Sequence, residues 1–357
     1  VALAPAAPLP EPELPPMLIP RVTFGDEGSV NVLAEAMEEE DPLVRERAVH
    51  TLGETHNPAA APIIREAIEA PEATVQAAAA IAAAELGAEL AGDVLRAALA
   101  PDRDPRVVLE GLHGIRKTGL RAASGDVKAV LARDSALVQT EGLRTLTALG
   151  EAASPERLAE LLAGPHAAVR LEACNNAAMA TSTDDLTAAL ATAVRTDPSP
   201  AVRGAALAAL GKLDYTAAEG LALQASRDSH PLLRRGAVRA WEAGGATLRV
   251  REMLNDTSPP VLLEATQAVG RMEDGQSVTR LYEILLRTRD NDLHRAALES
   301  LIAIDGDAVH DGAVEAFVAE ADRLPSPDQG KRLHVAEKSV ERNLRALSIL
   351  LTHFRST

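Results

Sequence analysis

Residues 41–54 read DPLVRERAVHTLGE: a turn dipeptide, a Val-Arg pair, and then apolar or small residues at Val44, Ala48, Val49 and Leu52. Offsets of four, five and eight from Val44 run down one face of a helix, whereas a strand would alternate with a period of two. Counting from this apolar anchor, the same arrangement returns at Val75, Val107, Val138, Val169, Val202, Leu233, Val261 and Leu293. Successive anchors are 31, 32, 31, 31, 33, 31, 28 and 32 residues apart. A fixed period of this length is the signature of stacked repeats, in which each unit covers its neighbour's apolar face.

The parts of the string have mechanical roles. Asp or Ser caps the start of a helix. Pro suits its first turn because the missing N–H costs nothing there, and small residues four positions on let another helix come close. Clear copies are DPRVVLEGLHGI (104–115), SALVQTEGLRTL (135–146), GPHAAVRLEACNNA (164–177), DPSPAVRGAALAALG (197–211) and DSHPLLRRGAVRAW (228–241). Between anchors lies a second amphipathic segment, such as PIIREAIEA or PERLAELLA, so each unit is expected to be two antiparallel helices. No segment shows the β-branched, period-two pattern of a sheet, which makes the expected fold all-α.

The turn followed by Val-Arg, two Ala-like positions and Leu-Gly resembles the HEAT repeat, in the short bacterial form similar to the bilin-lyase HEAT-like group. The resemblance spans residues 28–304, about nine helix pairs, and implies an α-solenoid. Residues 305–357 are expected to add a last repeat and a capping helix, KRLHVAEKSVERNLRALSILLTHF (331–354), that closes the final apolar face. In such proteins the second helix of each pair lines the concave side. The Arg following the anchor (Arg45, Arg170, Arg203, Arg234, with Gln139 and His294 substituting) forms a ladder of cations suited to an acidic segment, whereas the resemblance implies that it is structural. It would bond carbonyls and capping acids of adjacent repeats, here Asp41, Asp197 and Asp228.

Composition narrows the function. There are 52 Asp and Glu against 36 Lys and Arg, a formal charge of -16, so the mean field repels nucleic acid and anionic membranes. Aromatic residues make up only 2%, which leaves few stacking platforms for single-stranded nucleic acid or a flat chromophore. The three cations of HGIRKTGLR (113–121), namely Arg116, Lys117 and Arg121, read as a solvated helix end. A single cysteine, Cys174, excludes internal disulfides and multi-cysteine metal centres, and its place in the apolar stripe marks it as core. Trp241 replaces a stripe Leu and reads the same way. No 18-residue apolar run is present to span a bilayer.

The opening VALAPAAPLPEPELPPMLIP carries seven prolines, which favours an extended arm over residues 1–27. Pro/Ala-rich stalks of this kind follow signal peptides, so an extracytoplasmic location, periplasmic or secreted, is expected; a cytoplasmic linker is the alternative reading. No G-x-S-x-G, Walker loop, G-x-G-x-x-G or H-E-x-x-H string occurs, so no catalytic residue, cofactor or metal is assigned.

These observations favour a non-catalytic scaffolding subunit of a larger assembly, binding protein partners rather than nucleic acid through the concave face and the Pro-rich arm. The alternative is a bilin lyase-like enzyme or a chaperone-like carrier. Residues at offset six (His50, Ile81, His113, Arg144, Asn175, Ala208, Arg239, Gln267 and Glu299) point away from the stripe, and Leu109, Leu171 and Leu263 stand at offset two. The candidate partner-binding set is therefore Leu109, His113, Arg144, Leu171, Asn175 and Arg239. CNNAAM (174–179) is a departure, because Asn175 and Asn176 interrupt a run where other units carry Ala. It is read as a hydrogen-bonding site, a tolerated polar substitution or a helix end.

Overall fold

A computed structural model describes residues 27–288 and 290–304. The Pro-rich arm up to residue 26 and the segment 305–357, with its expected capping helix, lie outside the described residues. Eighteen α-helices and no strand occur among the described residues. The first helices of the pairs are α1 (Glu27–Glu35), α3 (Ala61–Ala67), α5 (Ala88–Ala97), α7 (Ser124–Val130), α9 (Pro155–Leu162), α11 (Asp184–Thr196), α13 (Tyr215–Ala225), α15 (Thr247–Glu252) and α17 (Val278–Arg287). The second helices carry the anchors: α2 (Pro42–Glu54), α4 (Ala73–Leu86), α6 (Pro105–Thr118), α8 (Ala136–Leu149), α10 (Ala167–Ala177), α12 (Pro200–Leu213), α14 (Pro231–Ala243), α16 (Pro259–Arg271) and α18 (Asn291–Ala303).

The helices gather into two compact units, one ending at Val130 and the other beginning at Leu131. In the first, α2, α4 and α6 stack in order, and α3 and α5 pack beside them. In the second, α8, α10, α12, α14, α16 and α18 stack in order, with α9, α11 and α13 forming a parallel row.

The chain signals its own helix boundaries. Asp41 Oδ1 accepts from the Leu43 amide at 2.9 Å, Asp104 from Arg106 at 2.8 Å, and Asp290 from Asp292 and Leu293. Each satisfies an N–H that would otherwise be orphaned at a helix start. Gly119 and Gly150, with φ of 66° and 72°, close α6 and α8 in the left-handed conformation that lacks a Cβ penalty only for glycine. Arg116 and Lys117 fall in the last turn of α6, and Lys117 bonds Glu85 on α4, as a helix end would.

The anchors at 75, 107, 138, 169, 202, 233, 261 and 293 are buried; Val44 is 39% exposed. Offset four is Ala or Gly in all nine units (Ala48, Ala79, Gly111, Gly142, Ala173, Ala206, Ala237, Ala265 and Ala297), and every one is buried. Cys174 and Trp241 sit in the buried stripe as expected.

A second register emerges from the packing. Residue nine of one stacked helix meets residue seven of the next, and both are usually small: Gly53 faces Ala82, Gly211 faces Ala240, and Gly270 faces Ser300. A Cβ built on Gly211 would lie 2.5 Å from Ala240 Cα, and one on Gly53 would lie 2.6 Å from Ala82 Cα. Backbones at this distance leave no room for a methyl group, which explains the Gly of the Leu-Gly string.

Asn176 occupies this seventh position on α10, and Thr147 the ninth on α8. Contact between small residues is here replaced by a hydrogen bond, Asn176 Nδ2 to Thr147 Oγ1 at 3.0 Å. The same amide donates to the Glu151 carbonyl at 2.9 Å, and its Oδ1 accepts from the Ala153 amide at 2.9 Å. Asn176 is fully buried and ties α10 to the turn between α8 and α9, while Asn175 is exposed and bonds Glu172. The helix also ends at Ala177, so the double Asn combines a structural staple with a helix end.

The Arg column is structural, with corrected partners. Arg170 holds both Asp197 carboxylate oxygens (2.7 and 3.1 Å) and the carbonyls of Gly164 and Pro165 in its own turn. Arg234 holds Asp256 in the same bidentate way and the Asp228 and Ser229 carbonyls. Arg45 takes Glu72 and the Glu39 carbonyl. Of the three expected acids, only Asp197 serves an arginine through its carboxylate. Asp41 and Asp228 accept from their own turns' amides, as Asp197 also does from Ser199 while it reaches back to Arg170, but neither carboxylate bonds an arginine among the described residues. Gln139 reproduces the turn half of the pattern, donating to the Leu131 and Arg133 carbonyls. Arg203 keeps a buried Nε without an acceptor, for which the structure offers no explanation.

These bonds set the pH response. Burial pulls Asp197 and Asp256 upward, but hydrogen bonds from Arg170 and Arg234 and from backbone amides outweigh it and leave both carboxyls below their ordinary range. Asp274, bonded by Arg251 and Ser277, behaves alike. A carboxyl depressed on folding stabilises above its unfolded value and loses that contribution as pH falls through its folded one. Thermal unfolding midpoints should therefore stay level down to about pH 4 and fall steeply below it, and Asp197→Asn should lower the midpoint at neutral pH while flattening the acid slope. Separately, Asn176→Ala should cost about 2–3 kcal/mol in denaturant unfolding, since buried backbone groups lose their partners, whereas Asn175→Ala should cost under about 0.5 kcal/mol.

Candidate functional site

Along the stacked helices α8 to α18, offset six keeps exposed or half-buried surface, while offset three is half-buried on α8, α10 and α12 and buried on α14, α16 and α18. In two neighbouring pairs, the sixth residue of one helix reaches the third of the next. On α8 and α10 this pair is Arg144 Nε to Glu172 at 2.9 Å, with Glu141 also held by Arg144. On α14 and α16 it is Arg239 Nη2 to Glu264 at 2.7 Å, with Arg235 joining the same carboxylate at 3.1 Å. Between these two charged rungs, α12 supplies only Ala205 and Ala208, and α14 supplies Gly236.

The short side chains of α12 between the two charged rungs leave a hollow. Its volume is about 620 Å³, and it runs over Ala178, Ala205, Ala208 and Ala209. Asn175 lines it along with Lys212, Arg239, Glu242, Glu264 and Arg271. A volume of this size accommodates a few residues of peptide or a small ligand.

The charges here are layered. Glu264 is 7% and Glu242 22% exposed, while Arg239 and Arg271 are 47% and 51% exposed. Burial alone raises Glu264, but the hydrogen bonds and charges of Arg239 and Arg235 hold it below its ordinary range, so it stays ionised. Arg271 grips both oxygens of Glu242 at 2.5 and 2.8 Å, and its guanidinium is held firmly charged by that bond. The acids thus lie beneath and the cations above.

Two of the six candidate residues, Asn175 and Arg239, meet in this hollow. Arg144 stands on the neighbouring rung, and Leu171 is half-buried on α10. Leu109, half-buried, and His113, exposed and bonded to Arg116, stand on α6 in the first unit. Sequence reasoning missed Lys212, Glu242, Glu264 and Arg271. The legible signal was the run of small residues GAALAAL on α12, which places nothing large at either outward offset.

Cys174 underlies the hollow, donates weakly to the Val202 carbonyl at 3.9 Å, and is fully buried; burial pushes its thiol well above the ordinary range. Thiolate is the reacting form, so native protein should resist a thiol reagent such as DTNB near neutral pH and react stoichiometrically only after unfolding. Rapid labelling of the native protein would mean that the floor opens. No helix among the described residues is long and apolar enough to cross a membrane, and no cluster of metal-ligating side chains occurs among them.

Residues 30–116 match the family model of HEAT repeats. No curated protein matches the chain by sequence. Similar solved structures include a crystal structure of an engineered protein, 16% identical with a TM-score of 0.44, covering 88% of this chain and 99% of that one. The YibA protein of Escherichia coli is 14% identical with a TM-score of 0.43, covering 76% and 91%. A chain from a Kap95p–RanGDP structure is 13% identical with a TM-score of 0.47, covering 87% of this chain and half, 50%, of that one. The fold itself rests on the packing described above.

Proposed function

The chain is a HEAT-repeat protein, and on that premise we propose that it serves as a non-catalytic scaffolding subunit. It binds protein partners through the outward face of the stacked helices. HEAT repeats commonly mediate contacts between proteins. The observation that carries the reading is the hollow over α10 to α16, a recess between two charged rungs. Structural roles absorb the buried polar residues nearby, whereas Asn175, Lys212, Arg239 and Arg271 keep exposed surface. The Pro-rich stretch 1–27 is proposed as a second contact, supported by its extended composition.

The test is native co-purification of the full chain with a photo-crosslinking residue at position 175 or, as a control, at position 219 on α13. A stoichiometric protein partner should crosslink through 175 and not through 219, and deleting residues 1–20 should reduce its yield. Absence of a stoichiometric partner, or crosslinking confined to 219, contradicts the proposal.

A further inference from the structure

We infer that the hollow over α10 to α16 receives an acidic linear segment of a partner protein, with partner carboxylates meeting Lys212, Arg239 and Arg271 and small partner side chains resting on Ala205 and Ala208. The inference deepens the proposed function and rests on it.

Three observations specify the occupant. The first is the balance of charge. The hollow is lined by three cations and two acids, in a chain whose total runs to 52 acids against 36 basic residues. A local cation excess within an acidic molecule is a site where an anion is drawn in while the surrounding field discourages unspecific polyanions.

The second is how that charge is committed. Both acids already accept from arginines and are largely covered, so they offer little to a cationic ligand. Arg239 spends Nη2 on Glu264, and Arg271 spends Nε and Nη2 on Glu242, with Nη2 also 3.7 Å from Glu264, so each guanidinium keeps N–H groups that these contacts do not use. Lys212 is exposed and has no hydrogen-bond or ion-pair partner among the described residues. Three donors are thus held around one hollow, and two of them are fixed in position by the acids beneath. Such preorganisation favours carboxylates over weaker acceptors.

The third is the floor. Five alanines, at 178, 205, 208, 209 and 243, provide a shallow apolar base without an aromatic face. Stacked bases need aromatic platforms, so the floor disfavours nucleic acid. Membrane binding calls for protruding apolar side chains, and here the apolar surface is recessed. An extended peptide with acidic side chains spaced by small ones matches both the donors and the base.

The probe is a fluorescein-labelled octapeptide of alternating Glu and Ala, titrated into the full chain and followed by anisotropy. A Gln-Ala peptide, phosphatidylserine vesicles and an oligo-dT strand serve as comparisons. Saturable binding of the Glu-Ala peptide should weaken with salt, fall about tenfold with Lys212→Glu, and be unaffected by Lys128→Glu in the other unit. The Gln-Ala peptide should bind at least about tenfold more weakly. Circular dichroism of Lys212→Glu should match the wild type, because Lys212 makes no pair to lose among the described residues.

Equal binding of the Gln-Ala peptide, indifference to Lys212→Glu, no saturation by about 1 mM, or tighter Lys212-dependent binding of the vesicles or oligo-dT would each overturn the inference. A partner that crosslinks through position 175 yet is not displaced by the Glu-Ala peptide would leave the binding face in place and remove only its acidic occupant.

Discussion

Successive stacked helices approach until backbone meets backbone, and this constraint shapes both units. Gly211 against Ala240 and Gly270 against Ser300 leave no room for one added methyl group, and the buried Ala or Gly at offset four recurs without exception through nine units. Close approach lets short Ala-rich helices bury enough surface without bulky aromatic residues, because packing density rather than side-chain size supplies the dispersion contacts. It also fixes the axial register. Once the ninth residue of one helix must sit over the seventh of the next, the sixth of the first is brought to the third of the second.

The exposed chemistry follows from that register. Arg144 on Glu172 and Arg239 on Glu264 are the same geometric pair, in units three apart in the stack. The hollow arises because α12 keeps the register while carrying alanine at both outward offsets. Arginines at offset one play a different part. Arg170 and Arg234 are sunk between a turn and the next unit's acid, where replacement would leave an unpaired buried charge, so they hold the stack together and have little to offer a partner. One residue type, five positions apart on the same helix, thus divides between cohesion and recognition.

Much of this was legible in the sequence because repetition exposes it. The period, the helix pairs, the caps, the buried Cys174 and Trp241 and the outward sixth column all follow from offsets counted along the chain. What was not legible depended on which residues meet across units. Arg234 finds Asp256 of the following turn through its side chain and only the carbonyl of Asp228 in its own turn. Asn176 looked like half of a polar anomaly beside Asn175, yet the two point in opposite directions, one into the Thr147 contact and one into solvent. Lys212, Glu242 and Arg271 carried no motif, and only the gap left by α12 assembles them. Val44 shares the anchor pattern but not its burial, since a repeat states what a position is for and not whether a neighbour covers it.

The most direct measurement compares two glycine-to-alanine substitutions by chemical denaturation. Alanine is the better helix former by roughly 1 kcal/mol, and Gly220 on α13 has open space around its Cα, so Gly220→Ala should stabilise the protein. Gly211 lies within α12 with Ala240 against it, so Gly211→Ala should destabilise despite the same gain in propensity. Opposite signs are the predicted result. A Gly211→Ala protein as stable as the wild type, or more so, would contradict the account that close backbone approach holds the stack.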